Sequence, residues 1–232
     1  MTWKDLVEKA YVPYSKIPNA CIIQGHKGDY FSGVRIENVS FPLTISALQA
    51  ACCICLAYGQ KPITIFLKDE NNPQLLFWKQ EFNCEVIIGE IPDKVHLYSY
   101  REQHSKDDLT HLKLLLNDAV IPNSQFPVSA MLKSDTILIT GVNVEVSDWA
   151  KGLCAERVAI CKAIAEGVTN FKTMIVHTLK GEFSSPCGAC RQVLFEHLPL
   201  SKTELYHADG TYSEHYNVDL LPFSFTSRDL HK

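Results

Sequence analysis

Apolar and polar positions run through the chain twice in the same order. Trp3 to Tyr11 carries apolar residues at helical spacing, and Leu109 to Ala119 repeats the pattern, with Leu112, Leu115, Leu116 and Ala119 along one face. Short apolar runs, Ala20 to Gln24 and Ala130 to Leu132, lead into the β-branched, alternating stretches Tyr30 to Ile36 and Thr136 to Val144, which predicts a hairpin in each half. A helix is predicted next, from about Ser46 to Tyr58 and from Cys154 to Glu166. Gly59 and Gly167 stop them, suited to the left-handed position after a helix. Apolar strands follow at Ile63 to Leu67 and Thr173 to His177. A further helix opens after Pro186, where proline costs nothing because first-turn amides lack helical partners.

The repetition is numerical as well. Gly33 and Gly141, Glu37 and Glu145, Ser46 and Cys154, and Gly59 and Gly167 are each 108 apart, while Pro18 and Pro127 are 109 apart. Self-similarity of this kind marks two copies of one unit. The polar, charge-rich run Arg101 to Asp108 reads as the junction, placing domains at 1–102 and 103–232. The order β-β-α-β-α behind a leading helix implies helices packed on a mixed sheet in each copy.

Composition narrows the classes. The chain has 232 residues, 46% hydrophobic and 21% charged, an ordinary globular balance. Its net charge of −4, without a basic run, argues against a nucleic-acid partner, because displacing counterions from a polyanion takes clustered Lys and Arg. No apolar segment approaches the roughly 20 residues that span a bilayer, and the charged first residues do not resemble a signal peptide. The chain is therefore expected to be cytoplasmic, with its nine cysteines reduced.

Candidate chemistry is confined to the second copy. Cys154 and Glu156 stand two apart at the start of a helical pattern, and Cys187 and Cys190 stand three apart behind Pro186. Three thiols without an evident fourth protein ligand suit a catalytic zinc (Zn2+) site that keeps a position for water, rather than a closed structural one. Three thiolates would leave zinc with a formal charge of about −1, but the predicted helix starts turn their positive ends toward it. Arg157 and Arg191 are candidates to donate hydrogen bonds to a sulfur. The first copy has Ser46 and Leu48 at the places of Cys154 and Glu156, and Pro73-Gln74-Leu75-Leu76-Phe77 at that of the two later cysteines. It is expected to be metal-free and inactive. Cys52, Cys53 and Cys55 sit in an apolar helix without basic neighbours and read as core.

Cys154-Ala155-Glu156 followed by Pro186-Cys187-Gly188-Ala189-Cys190 resembles the cytidine deaminase superfamily. The longer match, including Gly141 to Glu145, Phe126-Pro127-Val128 and Cys190-Arg191-Gln192, is similar to the nucleoside cytidine deaminases in particular. That resemblance implies a three-layer α/β/α fold with a five-stranded sheet in each copy. It implies hydrolytic deamination of cytidine, and of 2′-deoxycytidine, by zinc-activated water with Glu156 shuttling the proton. Phe126, Asn143, Glu145 and Ala155 are then expected at the substrate, with Asn143 and Glu145 on the ribose hydroxyls, and Arg157 is favoured as the donor to a sulfur. In the family the loop matching Glu37 to Leu43 reaches a neighbouring subunit's site. Phe41 and Phe223 are therefore expected to close a pocket from across an interface, and two copies per chain imply a homodimer. Val146, Ser129 and Asp148-Trp149 depart from the family pattern, so deamination of another aminopyrimidine nucleoside stays open. So does a non-catalytic, zinc-stabilised binding protein.

Overall fold

Two mixed β-sheets, one from each half of the chain, organise the computed structural model, which describes residues 2–89, 95–104, 106–226 and 230. The first half runs α1 (Trp3–Val7), β1 (Ala20–Gly25), β2 (Tyr30–Val34), α2 (Ala47–Ala57), β3 (Pro62–Leu67), α3 (Leu75–Phe82) and β4 (Glu85–Ile88). The second runs α4 (Asp108–Leu115), β5 (Val128–Lys133), β6 (Leu138–Val142), α5 (Ala155–Glu166), β7 (Thr173–Thr178), α6 (Gly188–His197), β8 (Lys202–Tyr206), β9 (Tyr212–Tyr216) and α7 (Asn217–Leu220). Strand order is β2-β1-β3-β4 in one sheet and β6-β5-β7-β8-β9 in the other. The pairs β3/β4 and β7/β8 are parallel and the rest antiparallel.

The repeat survives at the level of register. Cys21 lies opposite Gly33 in the first hairpin and Ala130 opposite Gly141 in the second. The offset is 109 on the first strand and 108 on the next, so the second hairpin turn is one residue shorter. Both glycines are demanded by contact. A Cβ on Gly33 would stand 2.6 Å from the Ala47 carbonyl oxygen and 2.4 Å from the Ala51 nitrogen, and one on Gly141 would stand 2.2 Å from the Ala155 carbonyl oxygen. In each half the helix is thus seated directly on the hairpin, at backbone-to-backbone distance.

Alternation along β5 then fixes the layers of the second half. Ala130 shares the Gly141 face, under α5, while Ser129 Oγ donates to the Leu112 carbonyl of α4 at 2.9 Å on the opposite face. Helices therefore cover both faces of this sheet. On the α5 side the core is continuous with the first half, since α2 packs against α5 and buried side chains of both copies form one cluster.

Two sequence expectations need correction. Five strands are predicted in each sheet, but the first has four among the described residues. After β8 the second half turns back through Asp209-Gly210 to add β9. After β4, the next described residues cross to the opposite edge, where the Tyr98 N–H donates to the Tyr30 carbonyl at 2.8 Å. The leading helix, expected to reach Tyr11, stops at Val7 because the Tyr11 backbone bonds the strand end instead: its N–H donates to Arg35, and its carbonyl accepts from Glu37. At the junction, Glu102 exchanges two backbone hydrogen bonds with Leu138 at the edge of β6, so the chain reaches the second sheet before residue 103.

Candidate active site

Cys154 is the N-cap of α5 and Cys187 the N-cap of α6, both in extended conformation and neither using its sulfur to cap its own helix. Freed from that role, the two sulfurs approach to 3.7 Å, and the sulfurs of Cys154, Cys187 and Cys190 all lie within 4.8 Å of one another. Two sulfurs on one tetrahedral zinc at about 2.3 Å stand about 3.8 Å apart, so the separation matches a shared metal. Among the described residues this is the only group of three or more such side chains placed to share a metal ion. Both helix N-termini face it, which offsets the negative charge of three thiolates.

The sulfurs also act on one another. Cys187 is held far below the usual thiol range by hydrogen bonds from Cys154 and Cys190 and from the backbone amides of Cys190 and Ala189, while Cys154 and Cys190 are pushed up. An anionic sulfur at a helix start suits a cation. Glu156 lies behind them, buried, and burial pushes its carboxyl up to about 7, with Cys187 adding to the rise. A carboxyl in that range can both take and give a proton near neutrality.

In front of Cys154 opens a cleft of about 480 Å³, lined by Ser124, Phe126, Asn143, Glu145, Trp149 and Arg157 among others. The Asn143 side chain is braced at both ends, accepting from the Val128 N–H at 2.8 Å and donating to the Phe126 carbonyl at 2.9 Å. Glu145 accepts from the N–H groups of Asn123 and Ser124 at 2.9 and 3.0 Å and from Ser124 Oγ. Burial alone would raise its pKa, but these hydrogen bonds outweigh it and hold the carboxyl below its ordinary value. An ionised carboxylate beside a nucleoside-sized space accepts from hydroxyls and repels phosphate.

The other sequence-predicted residues fall as follows. Ala155, at the first position of α5, is fully buried under Gly141 and is not in the cleft wall. Arg157 lines the cleft, with its Nε buried and without a hydrogen-bond partner. Arg191 is occupied elsewhere, donating to the Pro186 carbonyl at 2.9 Å and to Ser185 Oγ at 2.7 Å, and so it braces the loop that delivers Cys187. Phe41, 83% exposed, and Phe223, fully exposed, stand outside the cleft wall. Trp149, which the sequence marks only as a departure from the family pattern, and Ser124, to which it assigns no role, belong to the wall. The repeat offset could have found both, since they match Phe41 and Ser15 of the first copy.

The first half has the same frame with the chemistry removed. Ser46 caps α2, and its Oγ donates to Gln74 Oε1 at 2.9 Å, the N-cap of α3, where the second half sets Cys154 against Cys187. Leu48, at the place of Glu156, is fully buried.

Both halves are similar to known proteins. The family model described as the cytidine and deoxycytidylate deaminase zinc-binding region matches residues 103–201, and a second model of the same description matches residues 4–67. The cytidine deaminase of Sporosarcina psychrophila is 39% identical over 117 residues, 48% of this chain and 84% of that protein. The cytidine deaminase of Halalkalibacterium halodurans is 37% identical over 114 residues, 48% of this chain and 86% of that protein. A crystal structure of cytidine deaminase from Burkholderia pseudomallei is 33% identical and covers 50% of this chain and 94% of its own, with a TM-score of 0.48.

Proposed function

The chain belongs to the zinc-binding cytidine and deoxycytidylate deaminase family, and as a zinc-dependent deaminase of that family we propose that it hydrolyses cytidine and 2′-deoxycytidine to the uridine nucleosides and ammonia, in pyrimidine salvage. The observation that carries this reading is the trio of converging sulfurs at two helix starts with a buried carboxyl beside them. Cys154, Cys187 and Cys190 hold the zinc. Bound there, zinc supplies the Lewis acidity that makes water a nucleophile near neutral pH. Glu156 carries a proton to N3 of the pyrimidine and then to the departing amino nitrogen, a role for which its raised pKa suits it. Phe126 packs on the base, and Asn143 and Glu145 take the ribose hydroxyls, positioned by the hydrogen bonds that brace them. Arg191 acts by fixing the loop ahead of Cys187.

We place the degenerate, metal-free unit in residues 1–102 and the catalytic one in 103–232, with Glu102, at the boundary, joined to the edge of the catalytic sheet. The exposed rings of Phe41 and Phe223 support a homodimer in which two chains assemble four units and these aromatics close a partner's cleft. No helix among the described residues is long and apolar enough to cross a membrane, and action in the cytoplasm, where thiols stay reduced, is part of the proposal.

A panel of cytidine, 2′-deoxycytidine, their 5′-monophosphates and other aminopyrimidine nucleosides tests the assignment. Turnover of the first two, with the monophosphates at least about a hundredfold poorer in kcat/KM, is the expected result. Faster turnover of a different aminopyrimidine nucleoside would reassign the substrate, and zinc binding without ammonia from any of them would leave a binding protein.

A further inference from the structure

The segment from Glu145 to Cys154 forms one wall of the cleft, contributing Trp149, Ala150, Gly152 and Leu153, and it ends on a metal ligand. Its own structure is a short helical turn at Trp149–Lys151, capped by Asp148, and a pairing of Leu153 with Val144, and Ser147 lies outside both. The first half holds it. Glu81, on α3, accepts from the Ser147 N–H at 2.9 Å and from Ser147 Oγ. Gln49 Nε2, on α2, donates to the Lys151 carbonyl at 3.1 Å, and the Lys151 ammonium sits 4.8 Å from the centre of the Phe77 ring. Phe77 stands where the second half has Cys190, so the lost metal site has become a seat for the active copy's loop.

We propose that the degenerate half sets the nucleoside affinity of the catalytic half, with Glu81 as the positioning residue that holds Ser147, and through it Trp149 and Glu145, in place. The proposal rests on the cleft being the nucleoside site. Glu81 touches neither substrate nor metal. Its two hydrogen bonds fix a position two residues from Glu145 on one side and two from Trp149 on the other. Trp149 is 68% exposed, so packing does not fix its ring, and the loop's anchors must.

The test compares Glu81→Ala, Glu81→Gln and Trp149→Phe in the full-length, zinc-loaded chain. The readouts are kcat and KM for cytidine, zinc content, and acrylamide quenching of the emission that Trp149→Phe removes. Of the three tryptophans, Trp78 is fully buried and Trp149 is the most exposed, so the difference signal reports the loop. Glu81→Ala is expected to raise KM about tenfold, keep kcat within about threefold and the zinc content unchanged, and increase Trp149 quenching. Glu81→Gln, which keeps an acceptor for the Ser147 N–H, restores KM to within about threefold of the parent. An Ala variant that loses thermal stability but keeps the parent KM and quenching overturns the proposal, because that is what a structural contact alone would do. If the parent deaminates no nucleoside, the functional reading has failed. The quenching comparison still decides whether Glu81 holds the loop.

Discussion

Glu37 and Glu145, 108 positions apart, hold the same three donors: a serine hydroxyl, that serine's N–H and the N–H of the residue before it. In the first half the donors come from Tyr14 and Ser15, and in the second from Asn123 and Ser124. This carboxylate is therefore an element of the fold in both copies. In the second copy it also faces a cleft beside the metal site.

That double role predicts different consequences for the same substitution. Removing the buried carboxylate takes the acceptor from part-buried N–H groups in either half, so Glu37→Ala and Glu145→Ala should each cost about 1–2 kcal/mol in urea unfolding. Only Glu145→Ala should also raise KM for cytidine, by about tenfold or more. Equal kinetic effects would mean that Glu145 acts through the fold alone.

Glu156→Gln should lower kcat by about three orders of magnitude and leave the zinc in place, as measured by absorbance assay and by metal analysis of the same preparation. Gln keeps the size of the side chain but cannot take a proton. Turnover within about tenfold of the parent would remove Glu156 from the reaction.

The two close-contact glycines separate packing from chemistry. Gly141→Ala pushes on the Ala155 carbonyl, one residue from the proposed ligand Cys154, whereas Gly33→Ala pushes on α2, which carries no proposed ligand. Both should destabilise by about 1–3 kcal/mol. Gly141→Ala alone should also speed zinc loss to a chelator, and equal zinc retention in both would show that the first turn of α5 yields without disturbing Cys154.

Lys162 stands where the first copy has Ile54, buried with its ammonium 4.0 Å from the centre of the Tyr58 ring across the two halves. Burial lowers its pKa to about 8 from 10.5, against the opposing pull of Glu102 and Asp118. Between those values the unfolded chain binds more protons than the folded one, so this lysine makes stability rise from pH 8 to 10.5 and costs about 3 kcal/mol below pH 8. The ring contact offsets part of that cost. Lys162→Met should thus stabilise the protein by about 1–3 kcal/mol at pH 7, with the gain vanishing by pH 10.5 in unfolding curves of the two proteins. A gain that does not change with pH would mean that the lysine keeps its ordinary pKa in the folded chain.

Much of this was legible in the chain because it is written twice. The 108-residue offset located the hairpins, the helix-stopping glycines and the replacement of Cys154 and Glu156 by Ser46 and Leu48, and the proline pair Pro73 and Pro186, 113 apart, located the replacement of the other two cysteines. Cysteine spacing then located the metal group without any view of the fold. What escaped lies where the copies differ or meet. The strand β9 has no described counterpart in the first half, and its edge position leaves only a weak alternating pattern. Arg191 follows a ligand in sequence, yet its side chain reaches back to the loop before Cys187, a direction that spacing cannot convey. The hold of Glu81 on Ser147 joins residues 66 positions apart on opposite halves, and neither carries a motif.

The most direct test of the whole account is zinc content and ammonia release measured on one purified sample given cytidine. The account predicts a single zinc per chain and ammonia equal to the cytidine consumed, both abolished together by Cys187→Ala and by chelation, and the chelated sample restored by added zinc. A chain that carries its zinc and releases no ammonia, or that keeps the metal after loss of Cys187, would contradict it.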